Sequence, residues 1–276
     1  MDRNHLVALD PDHPGFRDPV YRARRDVIAR IAVAHATGDV VPEAPYTTEE
    51  HAVWAAVRAS LDPLHTRLVT RSLTALAPLL GMDTARIPQL HQLNEALAAH
   101  GDFRMEPVAG LVDPETFLRH LAEGVFLSTQ YIRHASRPFY TPEPDVVHEL
   151  IGHAASLLHP RLAATSRAFG RCAALASAEG VIRLTRVYWY TLEFGLCEED
   201  GRLVAMGAGL MSSVGELQRS VEGEGVRREP LDVEVLASRP YDPTAFQPAY
   251  AVGPSFDRTL DLLDAWLADG GWRAAG

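Results

Sequence analysis

The sequence contains no lysine: all 26 residues counted as Lys plus Arg are arginine. Lysine-based Schiff-base chemistry is therefore excluded. Cysteine is scarce, with only Cys172 and Cys197 in 276 residues, too few for a disulfide framework in a chain this size. Both are read as small buried thiols. An excess of positive charge is lacking as well. The formal net charge is −10, which argues against nucleic acid as a partner, because neutralising phosphates needs basic patches. No run of about 18 apolar residues is present, so no membrane span is expected. The opening Met1-Asp2-Arg3-Asn4-His5 leads into no hydrophobic signal core, and a cytoplasmic location is expected.

What is present is an ordinary globular composition, 47% hydrophobic and 22% charged, in a chain long enough to bury a substantial core. Residues 1–18, rich in Asp and Pro, read as an extended arm. A helix is predicted from Pro19 to Ala36, stopping at Gly38, with Arg22-Ala23-Arg24-Arg25 as a solvated face. Thr47-Thr48-Glu49-Glu50 is a capping-box pattern opening a helix that carries Trp54 and Leu61. Pro63 interrupts or kinks it, and helical pattern resumes to Leu80-Gly81. Pro88 to Ala99 is a further helix. Phe103 to Val112 reads as extended, and Asp113-Pro114-Glu115 opens a helix running to His134. Helices are predicted over 162–178 and 182–194, then short strands on either side of Glu199-Asp200-Gly201. After Glu216 loops and short strands are expected, until a final amphipathic helix from Ser255 to Ala268. No internal repeat or interdomain linker is evident. One domain, mainly α with a few short β-strands, is the simplest reading.

The most informative stretch is Pro142-Glu143-Pro144-Asp145-Val146-Val147-His148-Glu149-Leu150-Ile151-Gly152-His153. Two prolines stiffen the approach, Asp145 can cap a helix, and Val147, Leu150, Ile151, Ala154 and Leu158 recur at helical spacing. The histidines are five residues apart. On an α-helix, positions i and i+4 lie about 40° apart, whereas i and i+5 lie about 140° apart. A zinc protease of the His-Glu-x-x-His type needs the narrower angle. His148 and His153 can therefore share an ion only near a helix end or a local distortion, for which Gly152 is a candidate.

A third ligand has to come from elsewhere. Two histidines and one carboxylate with open positions is the arrangement of non-haem Fe(II) oxygenases. The best candidate is Glu193 in Tyr188-Trp189-Tyr190-Thr191-Leu192-Glu193-Phe194-Gly195-Leu196. It is an acid in an aromatic and aliphatic run, where an ionised carboxylate is costly without a partner. That partner is either a metal or an arginine such as Arg183 or Arg186.

Tyr140-Thr141-Pro142-Glu143-Pro144-Asp145, His148-Glu149-Leu150 and Gly152-His153 resemble the signature of the pterin-dependent aromatic amino acid hydroxylases. Tyr188-Trp189 with Glu193-Phe194-Gly195-Leu196, then Gly207-Ala208-Gly209-Leu210, Ser212-Ser213 and Gly215-Glu216-Leu217, extend the likeness. It runs from Asp12-His13-Pro14-Gly15-Phe16 to Phe246-Gln247-Pro248 and Ser255-Phe256, and is nearest to the phenylalanine hydroxylases. The resemblance implies a single catalytic domain over residues 1–276. Neither a regulatory module nor a tetramerising helix is expected, and a monomer is expected.

The resemblance also implies a site. His148, His153 and Glu193 would hold Fe(II) as the catalytic centre, with a reduced tetrahydropterin, tetrahydrobiopterin or a relative, and O2 as co-substrates. Arg133, in Gln130-Tyr131-Ile132-Arg133-His134, would pair with the substrate carboxylate, for which a guanidinium fork is suited. Asp145 would orient that arginine, Thr141 and Ser212 would add hydrogen bonds, and Pro144 and Trp189 would wall the aromatic pocket. Phe117 would stack on the pterin. Backbone groups around Val108, Gly110, Leu111 and Val112 would bond it, with Glu149 nearby through water and Tyr188 beside it. The other histidines, including His134 and His159, read as structural or surface groups.

Phenylalanine to tyrosine is the expected conversion. Trp189 resembles the phenylalanine and tyrosine enzymes, where tryptophan hydroxylases tend to carry phenylalanine, and Leu111 resembles the phenylalanine enzymes, where the tryptophan enzymes tend to place tyrosine. Tyrosine enzymes place an acid where this chain has Pro243, with Asp242 beside it. Leu127, where a histidine is usual, and Thr185, in place of a small residue, depart from the pattern. They leave 3-hydroxylation of phenylalanine or action on tryptophan as alternatives. A zinc hydrolase with Glu149 as base, and a non-catalytic metal-binding protein, are the readings of another class.

Overall fold

Several helix starts fall where the sequence reading places them, each on a capping side chain. In the structure, a computed structural model that describes residues 9–273, Asp18 Oδ1 accepts the N–H of Val20 and Tyr21 at 2.8 and 3.0 Å. Helix α1 (Pro19–Ala34) begins there. Thr47 and Glu50 form the expected capping box before α2 (Thr48–Leu68). Pro63 does not interrupt α2. The helix continues through it because Val57, Leu61, Leu64 and Leu68 on either side share one buried stripe. A short α3 (Arg71–Thr74) and a 3-10 turn (Ala77–Leu80) follow, ended by Gly81 in the left-handed region at φ 59°. Then comes α4 (Leu90–His100).

Here the structure corrects the sequence reading. Strand β1 (Arg104–Val108) is followed by α5 (Pro114–Ala122), which stops far short of His134. Gly124, at φ 71°, turns the chain, and Val125–Thr129 forms β2, parallel to β1 with Arg104 opposite Val125 and Val108 opposite Thr129. Helical spacing persists across this stretch, but pairing with β1 buries Val125 and Phe126 better.

Beyond the site-bearing segment 145–153, α6 (Ala154–Leu158), α7 (Pro160–Leu175) and α8 (Ala178–Tyr188) pack in turn. Strands β3 (Leu196–Glu199) and β4 (Arg202–Ala205) form the expected hairpin. Its Asp200-Gly201 corner takes positive φ at both residues, 52° and 71°, the requirement of a tight hairpin turn. Helices α9 (Ala208–Met211) and α10 (Val214–Glu222) precede β5 (Arg227–Pro230). A further helix absent from the sequence reading, α11 (Val233–Ser238), is capped by Asp232. Strand β6 (Ala249–Gly253) runs parallel to both β3 and β5, giving a four-stranded sheet in the order β4-β3-β6-β5. The last helix, α12 (Phe256–Ala268), starts at its Ser255 cap. The fold is thus mainly helical with two small sheets.

Two more expectations change. Of the arm over residues 1–18, residues 1–8 lie outside the described residues. The rest is not extended: residues 11–17 form turns, and His13 Nδ1 accepts the Gly15 N–H at 2.9 Å. Arg25 is not on a solvated face. It is 2% exposed, its guanidinium lies 3.5 Å from the centre of the Tyr131 ring, and it pairs with Glu143. Cys197 is buried and Cys172 half-buried, and both are free. No described helix is long and apolar enough to cross a membrane.

One core runs through the molecule, with Trp54, Leu93, Leu150, Leu184, Leu217 and Leu263 fully buried. Within it α7 crosses α5 at Gly170. A Cβ there would fall 2.6 Å from the Leu118 carbonyl oxygen and onto the backbone of Ala122. Gly170→Ala should therefore separate the helices and cost about 1–3 kcal/mol. Thermal unfolding should show a midpoint lowered by roughly 2–12 °C, at about 2–4 °C per kcal/mol for a domain of about this size. An unchanged midpoint would mean that the helices can move apart freely.

Candidate active site

The chain leaves α-helical winding at His148 and stays in a π-helical turn through His153. A second π-helical turn runs from Trp189 to Glu193, closed by the Phe194 N–H on the Trp189 carbonyl at 2.9 Å. A π turn bonds residues five apart, one more than an α turn. Side chains at i and i+5 thus come to the same side. This is the local distortion that the five-residue spacing requires, and it spans the whole His148–His153 interval, Gly152 included.

His148 Nε2 and His153 Nε2 lie 3.1 Å apart. Glu193 Oε1 is 3.1 Å from His153 Nε2, and Oε2 is 3.6 Å from His148 Nε2. Metal–ligand bonds of about 2.1 Å at right angles put neighbouring donors about 3.0 Å apart. The donor spacing therefore fits three adjacent corners of an octahedron around one divalent ion. Arg183 and Arg186 do not partner Glu193. Arg183 bonds the Gly271 carbonyl and Glu234, and Arg186 the carbonyls of Ala237 and Ser238.

The supporting contacts fix the donors. Ser212 Oγ lies 3.2 Å from the Gly209 carbonyl and donates to it, so its lone pair accepts from His148 Nδ1 at 3.0 Å. The proton of His148 is thereby held on Nδ1, leaving Nε2 bare for a metal. Gly152 makes this possible: a Cβ at that position would lie 2.6 Å from the Ala208 carbonyl oxygen, so α9 with Ser212 rests directly on the π turn. Burial alone would raise the Glu193 pKa, but His153, His148 and the Gly209 N–H outweigh it and hold the carboxyl below its usual range. His153 is raised, because Glu193 overcomes its desolvation. Burial pushes His148 down to about 4.

Glu149 offers a rival third donor, since His148, Glu149 and His153 also cluster closely enough to share an ion. Its Oε1, however, accepts from Thr129 N and Oγ1 at 3.1 and 3.0 Å, and burial pushes its pKa up to about 7. Glu193 is the ionised carboxylate that faces both rings.

Next to the trio, Asp145 receives Arg133 through both arms, Nε at 2.9 Å and Nη2 at 2.8 Å, and through the Arg133 N–H at 2.7 Å. Both residues are buried. Desolvation would raise Asp145, and the guanidinium charge with its hydrogen bonds more than reverses this. Thr141 Oγ1 bonds the Glu143 carbonyl at 3.1 Å, and the Pro144 carbonyl lies 3.3 Å from Thr129 Oγ1. Trp189 stacks on Tyr241 with centroids 4.3 Å apart and donates to Gln247 Oε1 at 3.0 Å.

The residues expected around a pterin are placed along one path. Val108 ends β1, Gly110, Leu111 and Val112 form the loop into α5, and Leu111 is exposed. Phe117 on α5 meets Tyr188 and Phe126 edge-on at 5.7 and 5.5 Å, and Phe126 lies 4.6 Å from the His153 ring. From Phe117 through Phe126 to His153 the aromatic contact is thus unbroken. A cavity of about 380 Å³ opens beside it, lined by Asp113, Pro114, Thr185 and Tyr241 among others. His148, His153 and Glu193 do not line that cavity.

Several supporting residues escaped the sequence reading. Tyr241 and Gln247 hold Trp189, and Glu216 in turn accepts the Gln247 N–H at 2.8 Å and the Tyr250 hydroxyl at 2.9 Å. The motifs containing Glu216 and Gln247 were visible, but nothing in their spacing tells what they touch. Tyr241 and Thr129 carried no signal.

The chain matches the family model for biopterin-dependent aromatic amino acid hydroxylases over residues 4–269. It is 43% identical over 259 residues to a tyrosine 3-monooxygenase of Schistosoma mansoni, a match that takes in 92% of this chain and 56% of that protein. It is also 43% identical over 266 residues to the phenylalanine-4-hydroxylase of Mus musculus, taking in 95% of this chain and 58% of that protein. The chain thus spans little more than half the length of these relatives. Among solved structures, the Chromobacterium violaceum phenylalanine hydroxylase with bound oxidised Fe(III) superposes with a TM-score of 0.78 at 30% identity, covering 89% of this chain and 94% of that one.

Ser212→Ala should free the His148 ring to exchange tautomers and turn. Loss of a partner of this kind weakens metal binding by about 10–100-fold, which titration of the metal-free protein with Co(II) would measure. Affinity equal to the unsubstituted protein would show that Ser212 does not set the tautomer.

Proposed function

This chain belongs to the biopterin-dependent aromatic amino acid hydroxylase family, and on that premise we propose that it hydroxylates the ring of phenylalanine to give tyrosine. The observation that carries the proposal is the approach of His148, His153 and Glu193 to within 3.1–3.6 Å of one another beside a buried, oriented arginine. In this reading the three residues hold Fe(II), and a reduced tetrahydropterin is the co-substrate. When bound, iron and pterin supply the activation of O2 for insertion into the ring.

The chain's own residues do the positioning. Asp145 uses both carboxylate oxygens to hold Arg133, which presents the rest of its fork to the substrate carboxylate. Trp189, braced by Tyr241 and Gln247, and Pro144 shape the slot for the ring. Thr141 and Ser212 lie at its polar edge. Phe117 and the 108–112 loop receive the pterin, with Tyr188 behind Phe117 and Glu149 held by Thr129 on the metal side. Burial of Arg133, Asp145, Glu149, His153 and Glu193 keeps water from the reacting groups.

Relatives named for phenylalanine and for tyrosine are equally similar, so the choice of substrate rests on local structure. Tyrosine enzymes place an acid at the position of Pro243. The neighbouring Asp242 does not substitute for it, because its Oδ1 is occupied by Thr244 N and Oγ1 at 2.8 and 2.6 Å. That favours a ring without a hydroxyl. Mass spectrometry and NMR of the products formed from Phe, Tyr and Trp in turn test the proposal. Tyrosine should form from phenylalanine, only with Fe(II), O2 and reduced pterin. A dihydroxylated product from tyrosine, with phenylalanine unchanged, would overturn the substrate assignment.

Arg133→Met should raise the KM for phenylalanine by about 10–100-fold, the loss expected when a carboxylate forfeits its charged partner, with a smaller effect on kcat. An unchanged KM would remove Arg133 from substrate binding.

A further inference from the structure

Gln247 is 1% exposed, and its side-chain amide bridges two separate parts of the chain. On one side its Oε1 accepts the Trp189 Nε1–H at 3.0 Å. On the other its Nε2 donates to the carbonyls of Ala245 and Asp242 at 3.1 and 3.4 Å. The partners dictate which way the amide points, because an indole N–H can only donate and a backbone carbonyl can only accept.

Trp189 needs this contact. It stacks on Tyr241 at 4.3 Å and leans on Phe194 at 4.6 Å. Ring contacts set the plane of the indole, but many offset arrangements are favourable, so they permit sliding within that plane. A hydrogen bond to Nε1 is directional and removes the freedom. The chain over 242–246 needs the amide too. It is an exposed turn, and among the described residues no other hydrogen bond joins 242–245 to the rest of the chain. Gln247 itself is anchored from below. Its N–H is held by Glu216 Oε1 at 2.8 Å, which also accepts the Tyr250 hydroxyl at 2.9 Å, and both of those residues are buried.

We propose that Gln247 is a specificity-determining positioning residue: its amide holds the 242–245 turn against the Trp189 indole and so limits the size of the ring that the slot admits. This rests on the reading that Trp189 walls the slot for the substrate ring. Without the amide, the indole N–H and the two carbonyls lose their partner and turn to water. The turn then separates from the indole, and a larger ring fits.

Calorimetry on the full chain loaded with Fe(II), kept free of O2 and pterin, gives dissociation constants for L-phenylalanine and L-tryptophan without turnover. Gln247→Met keeps the length of the side chain and removes its hydrogen bonds to both sides. It should shift the ratio of the two constants toward tryptophan by about 3–10-fold, the loss expected for one hydrogen-bonded contact. Gly170→Ala weakens the fold at the crossing of α5 and α7 and touches none of these groups, so it should leave the ratio within about twofold. If Gln247→Met does not fold, as judged by circular dichroism, Gln247→Glu takes its place. That variant keeps an acceptor for the indole but brings no amide N–H to the turn, and the same shift is expected. A ratio unchanged in the folded variant, or shifted toward phenylalanine, overturns the proposal and leaves the substrate reading intact. An equal shift in Gly170→Ala also overturns it, because selectivity would then follow stability. If the unsubstituted chain binds neither amino acid, the substrate reading fails, and this inference with it.

Discussion

In the π-helical turns at His148–His153 and Trp189–Glu193 each turn takes in one more residue than α winding would, and the convergence of two histidines with Glu193 follows from it. An α-helical His148–His153 segment would point its imidazoles about 140° apart. A π turn is the rarer winding, so something must hold it in register. Val146, Val147 and Leu150 are fully buried, and burial of side chains of this kind contributes about 1.5–3 kcal/mol each. Slipping back to α winding would rotate these anchors out of the core. The same packing that stabilises the fold therefore sets the geometry of the donors.

That geometry extends outward through short contacts. Gly152 lets α9 lie against the π turn, α9 delivers Ser212 to His148, and Gly209 on the same helix serves both Ser212 and Glu193. On the other side, α1 and the loop before α2 reach the segment that carries Arg133. Tyr21 donates to the Ile132 carbonyl at 2.9 Å, Tyr46 to the Gln130 carbonyl at 2.7 Å, and Arg25 ties Tyr131 to Glu143. The chain on either side of the Arg133–Asp145 clamp is thus held by α1 and the loop before α2, both distant in sequence.

Much of this was legible in the chain itself. The spacing of His148 and His153 announced a departure from α winding, and an acid amid aromatic residues singled out Glu193. The capping box at Thr47, the opening at Asp113-Pro114, the proline at Pro19 and the amphipathic pattern from Ser255 located helix starts closely. What escaped depends on long-range pairing. Strand β2 was hidden inside a helical pattern because its partner, β1, is supplied by tertiary structure. Arg25 looked like one member of a basic surface cluster, since nothing local reveals the Tyr131 face or the Glu143 carboxylate waiting for it. Glu149 and Glu193 are both acids near the histidines. Only coordinates show that Thr129 occupies one and the two rings face the other.

The central claim is that Glu193, not Glu149, completes an iron site with the two histidines. Diffraction from crystals of the Fe(II)-loaded protein, collected on both sides of the iron absorption edge, tests it directly. The account predicts a single anomalous peak at about 2.0–2.3 Å from His148 Nε2, His153 Nε2 and a Glu193 oxygen. A peak bonded to Glu149 with Glu193 turned away, or no iron between the two rings, would contradict it.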